Sequence, residues 1–362
     1  MDKIGSTDEI LRKIKEDDSF YRTFLDAEKA YHDNFNGEAW FGRCIFLSWY
    51  CDRGTCDFCF RSTQKHKIKF AEDARRSVAS VVSEAALIRG LGWHLEFLTG
   101  GYGIYPFPEI VRMTKICSQI VGKKIWVNLG ALSEENLLEL KPYVEGIVSS
   151  LETLEPVLHK KVCPDKPIEP YLEMSRIAKR LGFKQSFTLV IGLNEKREDF
   201  SYVKRIIEEY GFERVTIYAL RPVAGTPYKK GPEPEDLVWW IANVRKNFPK
   251  IEIIAGTAIY RISEISLILR AGANAFTKLP ATKLFNTSYA DDIYAQAKMA
   301  GRDLVSRFSD KDIAMSQDWK SIIDNTDLTE EEKEESRKTL QRYLTMMHKH
   351  QFDDRKDIAD GD

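Results

Sequence analysis

Three of the six cysteines in this 362-residue chain lie within nine residues, in the segment Cys51-Asp-Arg-Gly-Thr-Cys56-Asp-Phe-Cys59. Three thiolates this close can bind three irons of a 4Fe-4S cluster and leave the fourth iron open to chelate a substrate. Zinc is the main alternative, but a closed zinc site takes four ligands, often as two pairs, and His66 is the nearest histidine. A chance group of structural cysteines is the third interpretation.

The cysteines follow the first of eight strand-like segments, which alternate with segments of helical apolar spacing. The strands are predicted at 43–50, 95–99, 124–129, 145–151, 185–192, 214–220, 251–255 and 273–277. The helices are predicted at 74–91, 107–121, 167–181, 196–210, 234–247 and 261–271, with Gly92, Gly182, Gly211 and Gly272 as C-terminal caps. This alternation predicts a parallel (βα)8 TIM-type barrel, with an open doubly wound sheet as the alternative. In a barrel, the residues that follow each strand form the catalytic face.

The chain is predicted to divide into three parts. Residues 1–40 form two polar helices, residues 41–283 form the barrel, and residues 284–362 form a helical tail with a charged final segment. The formal net charge of −1 argues against nucleic-acid binding, which needs a strongly basic face. No apolar run approaches a membrane span and the N-terminus lacks a secretory core, so we expect a cytoplasmic protein without a membrane partner.

The cysteine segment resembles that of the radical S-adenosylmethionine (SAM) superfamily. That family usually spaces its cysteines by three and then two residues, whereas here the spacing is four and then two. The resemblance implies a 4Fe-4S cluster on Cys51, Cys56 and Cys59 that cleaves SAM reductively to methionine and a 5′-deoxyadenosyl radical. This radical takes hydrogen from an unactivated carbon. Phe58 matches the family's aromatic residue, which packs near the SAM adenine.

Two further strand ends resemble SAM-binding motifs of this family. Gly100 and Gly101 match the Gly-Gly-Glu segment whose backbone pairs with the methionine amino group, although Tyr102 replaces the glutamate. Ser150-Leu-Glu152-Thr resembles the Asn-Leu-Asp-Thr segment of biotin synthase, which implies that Glu152 bonds the ribose hydroxyls. On the residues alone, a glycine turn and a solvated glutamate are the alternatives.

The ends of the fifth and sixth strands extend the resemblance. Ile191 and Glu195 match the Gly-x-Ile-x-Gly-x-x-Glu motif that backs the adenine with a strand edge, with Thr188 in place of the first glycine. Arg221 opens a segment like the Gly-Thr-Pro of biotin synthase and would clamp a substrate carboxylate or phosphate. Residues 259–275 resemble the last strand–helix–strand unit of biotin synthase and imply a complete eight-stranded barrel.

The three cysteines outside the cysteine segment help to indicate which reaction the protein catalyses. Cys163, in the loop after the fourth strand, is a candidate to bind a second iron–sulfur cluster or to carry sulfur, with a loop thiol as the alternative. Cys44 is expected at the opposite end of the first strand, and Cys117 within a helix; both are assigned to the core. Biotin synthase itself is not expected, because the barrel strands lack the cysteines that hold its second cluster.

Sulfur insertion by an archaeal-type two-component lipoyl synthase is the favoured reaction. The alternatives are a step towards the iron-guanylylpyridinol cofactor of a hydrogenase and a carbon-skeleton rearrangement like that of methylornithine synthase. A non-catalytic iron–sulfur scaffold or electron carrier is the alternative outside enzymes. The resemblance implies a small-molecule or carrier-bound substrate, a ferredoxin or flavodoxin as electron donor, and, for the lipoyl type, a second radical SAM subunit. Candidate substrate contacts are Tyr102, Asn128, Tyr218 and Arg221.

Overall fold

The computed structural model describes residues 5–309 and 318–349. Eight parallel strands pair in chain order, and the eighth pairs with the first, which closes a barrel. The strands are β1 (Glu38–Phe46), β2 (His94–Thr99), β3 (Ile125–Asn128), β4 (Val144–Glu152), β5 (Lys184–Ile191), β6 (Arg214–Ala219), β7 (Glu252–Gly256) and β8 (Ala275–Thr277), and a short β9 (Asp303–Leu304) pairs with the start of β1. The predicted (βα)8 barrel is confirmed, and the open sheet is wrong.

The first strand begins earlier than predicted. Strand β1 covers Glu38–Phe46 rather than 43–50, because residues 40–42 pair with β8 and residues 38–39 pair with β9. The chain leaves the sheet after Phe46, and Ser48 forms an isolated antiparallel bridge with Arg75. Cys44 therefore lies in the carboxyl half of β1, and its expected place at the opposite end of the strand is wrong.

Helices surround the barrel. They are α1 (Thr7–Glu16), α2 (Asp18–Asn34), α3 (Phe60–Gln64), α4 (Val78–Gly90), α5 (Phe107–Val121), α6 (Glu134–Leu140), α7 (Pro156–Val162), α8 (Glu169–Arg180), α9 (Phe200–Tyr210), α10 (Pro234–Asn247), α11 (Ile265–Arg270), α12 (Ala281–Leu284), α13 (Ser288–Met299), α14 (Trp319–Asp324) and α15 (Glu330–Lys349). Each predicted helix is present, and α3, α6, α7 and α12 are additional. The predicted cap at Gly211 has φ 67° and its N–H bonds the Ile207 carbonyl, a left-handed end that glycine adopts without strain.

Two helical layers extend the barrel at its termini. Helices α1 and α2 bury Ile14 and Phe24 against the outer helices, and α15 lies on α4, where the Ser83 hydroxyl bonds the Ser336 carbonyl at 3.1 Å. Residues 310–317 and 350–362 of the predicted tail, including its charged end, lie outside the described residues. Among the described residues, no helix is both long and apolar enough to cross a membrane.

Large side chains fill the amino end of the barrel interior. The His94 ring stacks on Trp40 with centroids 4.5 Å apart, and the Arg214 guanidinium lies 3.9 Å from the centre of the Trp126 ring. All four residues stand at or near the starts of their strands. A barrel of this type carries its active site at the opposite, carboxyl end.

Candidate functional site at the carboxyl end of the barrel

The cysteine loop leaves β1 and lies across the carboxyl end of the barrel before α3 begins. Neighbouring loops hold it in place: the Asp57 N–H bonds the Val162 carbonyl at 3.0 Å, and the Arg53 guanidinium bonds the Asp165 carbonyl at 3.1 Å. From the loop after β6, the Tyr228 hydroxyl donates to the Asp57 carboxylate at 3.1 Å. The loop is thus fixed to the segments that follow β4 and β6.

The three thiols of this loop are partly exposed and have different surroundings. A hydrogen bond from the Cys163 thiol lowers the pKa of Cys56, whereas burial raises the pKa of Cys59. Within residues 5–309 and 318–349, no three His, Cys, Asp or Glu side chains are gathered closely enough to hold a metal ion. Cys51, Cys56 and Cys59 share one loop at the carboxyl end of the barrel, but their side chains are not gathered around one point, and Cys163 lies beside Cys56.

The predicted glycine pair meets the cysteine loop. Gly100 and Gly101 follow β2 with φ 77° and 83°, a region that disfavours other residues. A Cβ on Gly100 would stand 2.9 Å from the Arg61 guanidinium, and Arg61 follows Cys59 by two positions. The side chain of Tyr102 is exposed at the same edge. The glycine backbone thus lies close to the residues that flank the cysteine loop, with no room for a larger side chain.

Glu152 ends β4 with φ 63° and forms a largely buried ion pair. Its carboxylate lies 2.6 Å from the Lys166 ammonium and accepts the Thr188 hydroxyl at 3.3 Å. Burial opposes the charge of Lys166, but Glu152 outweighs it and raises the pKa of Lys166 above its ordinary value. A carboxylate has about four lone-pair sites, so these two bonds leave room for a diol. Nothing in the spacing of Lys166, in a loop fourteen positions on, could have indicated this pair.

Glu195 supports its own loop. Its two carboxylate oxygens accept the N–H groups of Gly192 and Leu193, each at 2.8 Å, and burial raises the pKa of Glu195. Ile191 is buried at the end of β5, and its carbonyl accepts the Leu220 N–H at 2.8 Å. The structure therefore places both residues in the turn after β5, where the carboxylate determines the shape of the backbone.

A small apolar cluster joins the cysteine loop to the loops after β4, β5 and β6. Phe58 packs there with buried Cys163, and Leu193 and Leu220 complete the contact. Arg221 follows Leu220 directly and is half-buried. The predicted adenine-side residue Phe58 and the predicted substrate arginine thus stand at one edge of the mouth. Cys117, in contrast, is buried in α5.

The barrel interior also contains a carboxylate that the motifs did not indicate. Glu96 is buried on β2 and accepts three donors: the Cys44 thiol at 2.9 Å, the Thr277 hydroxyl at 2.5 Å and the Tyr218 hydroxyl. The candidate contact Asn128 lies at the end of β3, where its amide oxygen accepts the Ser150 hydroxyl at 2.7 Å. A glutamate within the otherwise apolar strand segment 95–99 was the available signal for a polar interior.

Comparisons with known proteins decide the family. A family model described as the radical SAM superfamily matches residues 47–207. An uncharacterized protein of Methanocaldococcus jannaschii is 36% identical over 313 residues, which is 85% of each chain. The chain belongs to the radical SAM superfamily. Membership implies a 4Fe-4S cluster and SAM for this radical SAM enzyme.

Other relatives place this radical SAM enzyme in the biotin-synthase-like branch. The 7,8-didemethyl-8-hydroxy-5-deazariboflavin synthase of Archaeoglobus fulgidus is 28% identical over 238 residues, 61% of this chain and 72% of that one. The biotin synthase of M. jannaschii is 28% identical over 167 residues, 44% of this chain and 46% of that one. The crystal structure of methylornithine synthase matches with TM-score 0.61 and 22% identity over 71% of this chain and 76% of that one, which shows the same fold.

The residues at the mouth of this radical SAM enzyme fit the implied groups. Thiols are the protein ligands that iron–sulfur clusters take, and three of them share one loop. The left-handed backbone of Gly100 and Gly101 adjoins that loop, and Glu152 offers carboxylate oxygens at the end of β4. Three thiols, a glycine backbone and a carboxylate thus lie at the carboxyl end of the barrel.

Proposed function

We propose that this radical SAM enzyme binds a 4Fe-4S cluster through Cys51, Cys56 and Cys59, cleaves SAM reductively, and takes hydrogen from a small molecule inside the barrel. The observation that carries the proposal is that the residues flanking the cysteine loop, Ser48 and Arg61, lie against Gly100 at the carboxyl end of a closed barrel. Two relatives are named as synthases of a deazaflavin and of biotin, which supports a role in cofactor biosynthesis.

Each residue has a defined task in this proposal. When bound, the cluster would supply the electron that cleaves SAM to methionine and a 5′-deoxyadenosyl radical. The Gly100–Gly101 backbone and Glu152 hold SAM at its amino and ribose groups, while Phe58 contacts the adenine side and Glu195 keeps the turn after β5 in shape. The closed barrel wall excludes water from the reactive carbon.

Anaerobic reconstitution with a count of iron and sulfide tests the ligand set. We expect about four irons per wild-type chain, a loss of iron in Cys56→Ala, and full iron in Cys117→Ala, whose thiol is buried in α5 away from the mouth. Bound zinc in place of iron, or equal iron in Cys56→Ala and wild type, would contradict the assignment.

Sulfur insertion of the lipoyl-synthase type is a second candidate, and the position of Cys163 favours it. Cys163 is buried beside Cys56, where a thiol could carry sulfur or contribute to a second cluster. In the part of the chain that the structure describes, Cys44, Cys117 and Cys163 stand in three separate places. About eight irons per chain, or a gain of activity with a second radical SAM subunit, would favour this candidate.

One-cluster reactions are the other candidates that the site accommodates. A rearrangement like that of methylornithine synthase or a step towards the iron-guanylylpyridinol cofactor needs the same three cysteines and an electron donor such as ferredoxin or flavodoxin. A non-catalytic scaffold or electron carrier is distinguished by spectroscopy, because its reduced cluster would give an EPR signal that SAM leaves unchanged.

A further inference from the structure

A lysine stands inside the barrel among aromatic rings. Lys278 follows β8 with φ 70°, and its Nζ lies 4.9 Å from the centre of the Tyr218 ring, 5.2 Å from Phe46 and 5.9 Å from Phe97. These rings come from β6, β1 and β2, so they surround the ammonium from within the barrel. The side chain is nevertheless exposed. The surface that Lys278 exposes therefore faces the barrel lumen.

The ammonium of Lys278 has more N–H donors than hydrogen-bond acceptors around it within the described residues. It carries three N–H donors, and its one hydrogen bond within residues 5–309 and 318–349 goes to the Cys44 sulfur at 3.4 Å, a weak acceptor. Burial opposes its charge, but Cys44 and Glu96 outweigh burial and raise the pKa of Lys278, so it is cationic at neutral pH. An enclosed cation with unused donors costs free energy unless something else binds it.

The carboxylate that lies near Lys278, that of Glu96, already accepts three hydrogen bonds from other residues. Glu96 accepts Cys44, Tyr218 and Thr277, and these bonds fix its two oxygens. The bond from Tyr218 also fixes the tyrosine ring beneath Lys278. Glu96 is therefore a positioning residue, and the free donors of Lys278 point to an acceptor that comes from outside the chain.

The Lys278 ammonium lies near the helix that follows the cysteine loop. The Phe46 ring is shared: the Arg61 guanidinium of α3 lies 5.0 Å from its centre, and Lys278 lies 5.2 Å from it. Arg61 follows Cys59 by two positions and adjoins Gly100. A molecule held by Lys278 would thus occupy the space between the barrel floor and the predicted SAM site.

We propose that Lys278 binds the carboxylate of the substrate, with an apolar or aromatic body packed on Phe46, Phe97 and Tyr218. This proposal rests on the proposed function and narrows its substrate to a small monoanionic carboxylate. A single ammonium among aromatic rings matches one negative charge. A phosphate dianion would need several donors, such as a guanidinium fork.

Binding of 3-phenylpropionate and of its neutral amide to the reconstituted enzyme tests the proposal. Ligand-observed saturation-transfer NMR without reductant measures both dissociation constants. We expect the wild type to bind the acid at least about tenfold more tightly than the amide and inorganic phosphate to leave this binding unchanged. Lys278→Met should lose the preference, Lys278→Arg should keep it, and Lys250→Met, a lysine exposed before β7, should match the wild type.

The proposal is overturned if the wild type shows no preference for the acid, if phosphate displaces it, or if folded Lys278→Met keeps the wild-type preference. Folding of each variant is checked by near-ultraviolet circular dichroism. Because binding is measured without a reductant, SAM is not cleaved during the measurement, and the result does not depend on SAM cleavage. Formation of 5′-deoxyadenosine by the wild type reports separately on the proposed function.

Discussion

Replacing Lys166 by methionine tests how the predicted ribose-binding carboxylate is held. Lys166 and Glu152 lie 2.6 Å apart with side chains only 10% and 14% exposed. Removing the ammonium leaves Glu152 with the Thr188 hydroxyl as its bonded partner. Breaking a buried pair costs about 3–5 kcal/mol, and because some exposure remains we expect about 3 kcal/mol. Urea unfolding followed by circular dichroism measures the free energy of unfolding.

An exposed pair of the same length is the matched control. Lys338 and Glu334 also lie 2.6 Å apart, but their side chains are 70% and 62% exposed, so Lys338→Met should cause no measurable change. The double variant Lys166→Met/Glu152→Gln removes both charges and should recover most of the loss. Equal stability of Lys166→Met and wild type, or an equal loss in Lys338→Met, would refute the account of a buried pair.

The pH dependence of this effect has a definite sign. The pKa of Lys166 is raised above its ordinary value of 10.5, so the folded protein holds this proton more tightly than the unfolded chain does. The stabilisation is complete below pH 10.5 and is lost as the pH rises through the folded value. The difference between wild type and Lys166→Met should therefore be constant near neutral pH and shrink only in strong alkali.

Three further predictions concern other parts of the barrel. Burial lowers the pKa of His94 from 6.5 to about 4. The neutral ring therefore contributes about 3 kcal/mol to the free energy of unfolding, which is complete above pH 6.5 and lost as the pH falls towards 4. Urea unfolding of His94→Gln should show less acid sensitivity than the wild type, and an unchanged acid profile would contradict this. Gly101→Ala places a Cβ 2.9 Å from the Tyr105 ring and should weaken SAM binding in calorimetric titration, whereas Gly37→Ala, with φ 86° and open space, should not; equal affinities in both would count against the glycine contact. Cys163→Ala should retain about four irons per chain in the iron assay, and a loss of iron would make Cys163 a ligand.

Local sequence patterns predicted the barrel and the place of the cysteine loop after its first strand. Strand and helix periodicities each depend on a few neighbouring residues, so the alternation and the cysteine loop after β1 could be read directly. The Gly100–Gly101 pair and Glu152 were assigned from their resemblance to SAM-binding motifs, and they lie just after β2 and at the end of β4. Their left-handed backbone, with φ 77°, 83° and 63°, fits sharp turns at the strand ends.

Contacts created by closure of the barrel could not be predicted. Cys44 and Lys278 are 234 positions apart and meet only because β8 pairs with β1. Glu96 joins Cys44 across 52 positions for a similar reason. The start of β1 was misplaced because its first residues are held by β8 and β9, far along the chain. Lys166 lies in an irregular loop, where the sequence has no repeating pattern from which the direction of a side chain could be predicted.

Formation of 5′-deoxyadenosine from SAM tests the central claim most directly. The enzyme is reconstituted anaerobically, reduced with dithionite and incubated with SAM, and the nucleoside is quantified by chromatography. We expect 5′-deoxyadenosine from the wild type and from Cys117→Ala, and none from Cys56→Ala. A wild-type protein that holds zinc, or an iron–sulfur cluster that leaves SAM intact, would contradict the claim.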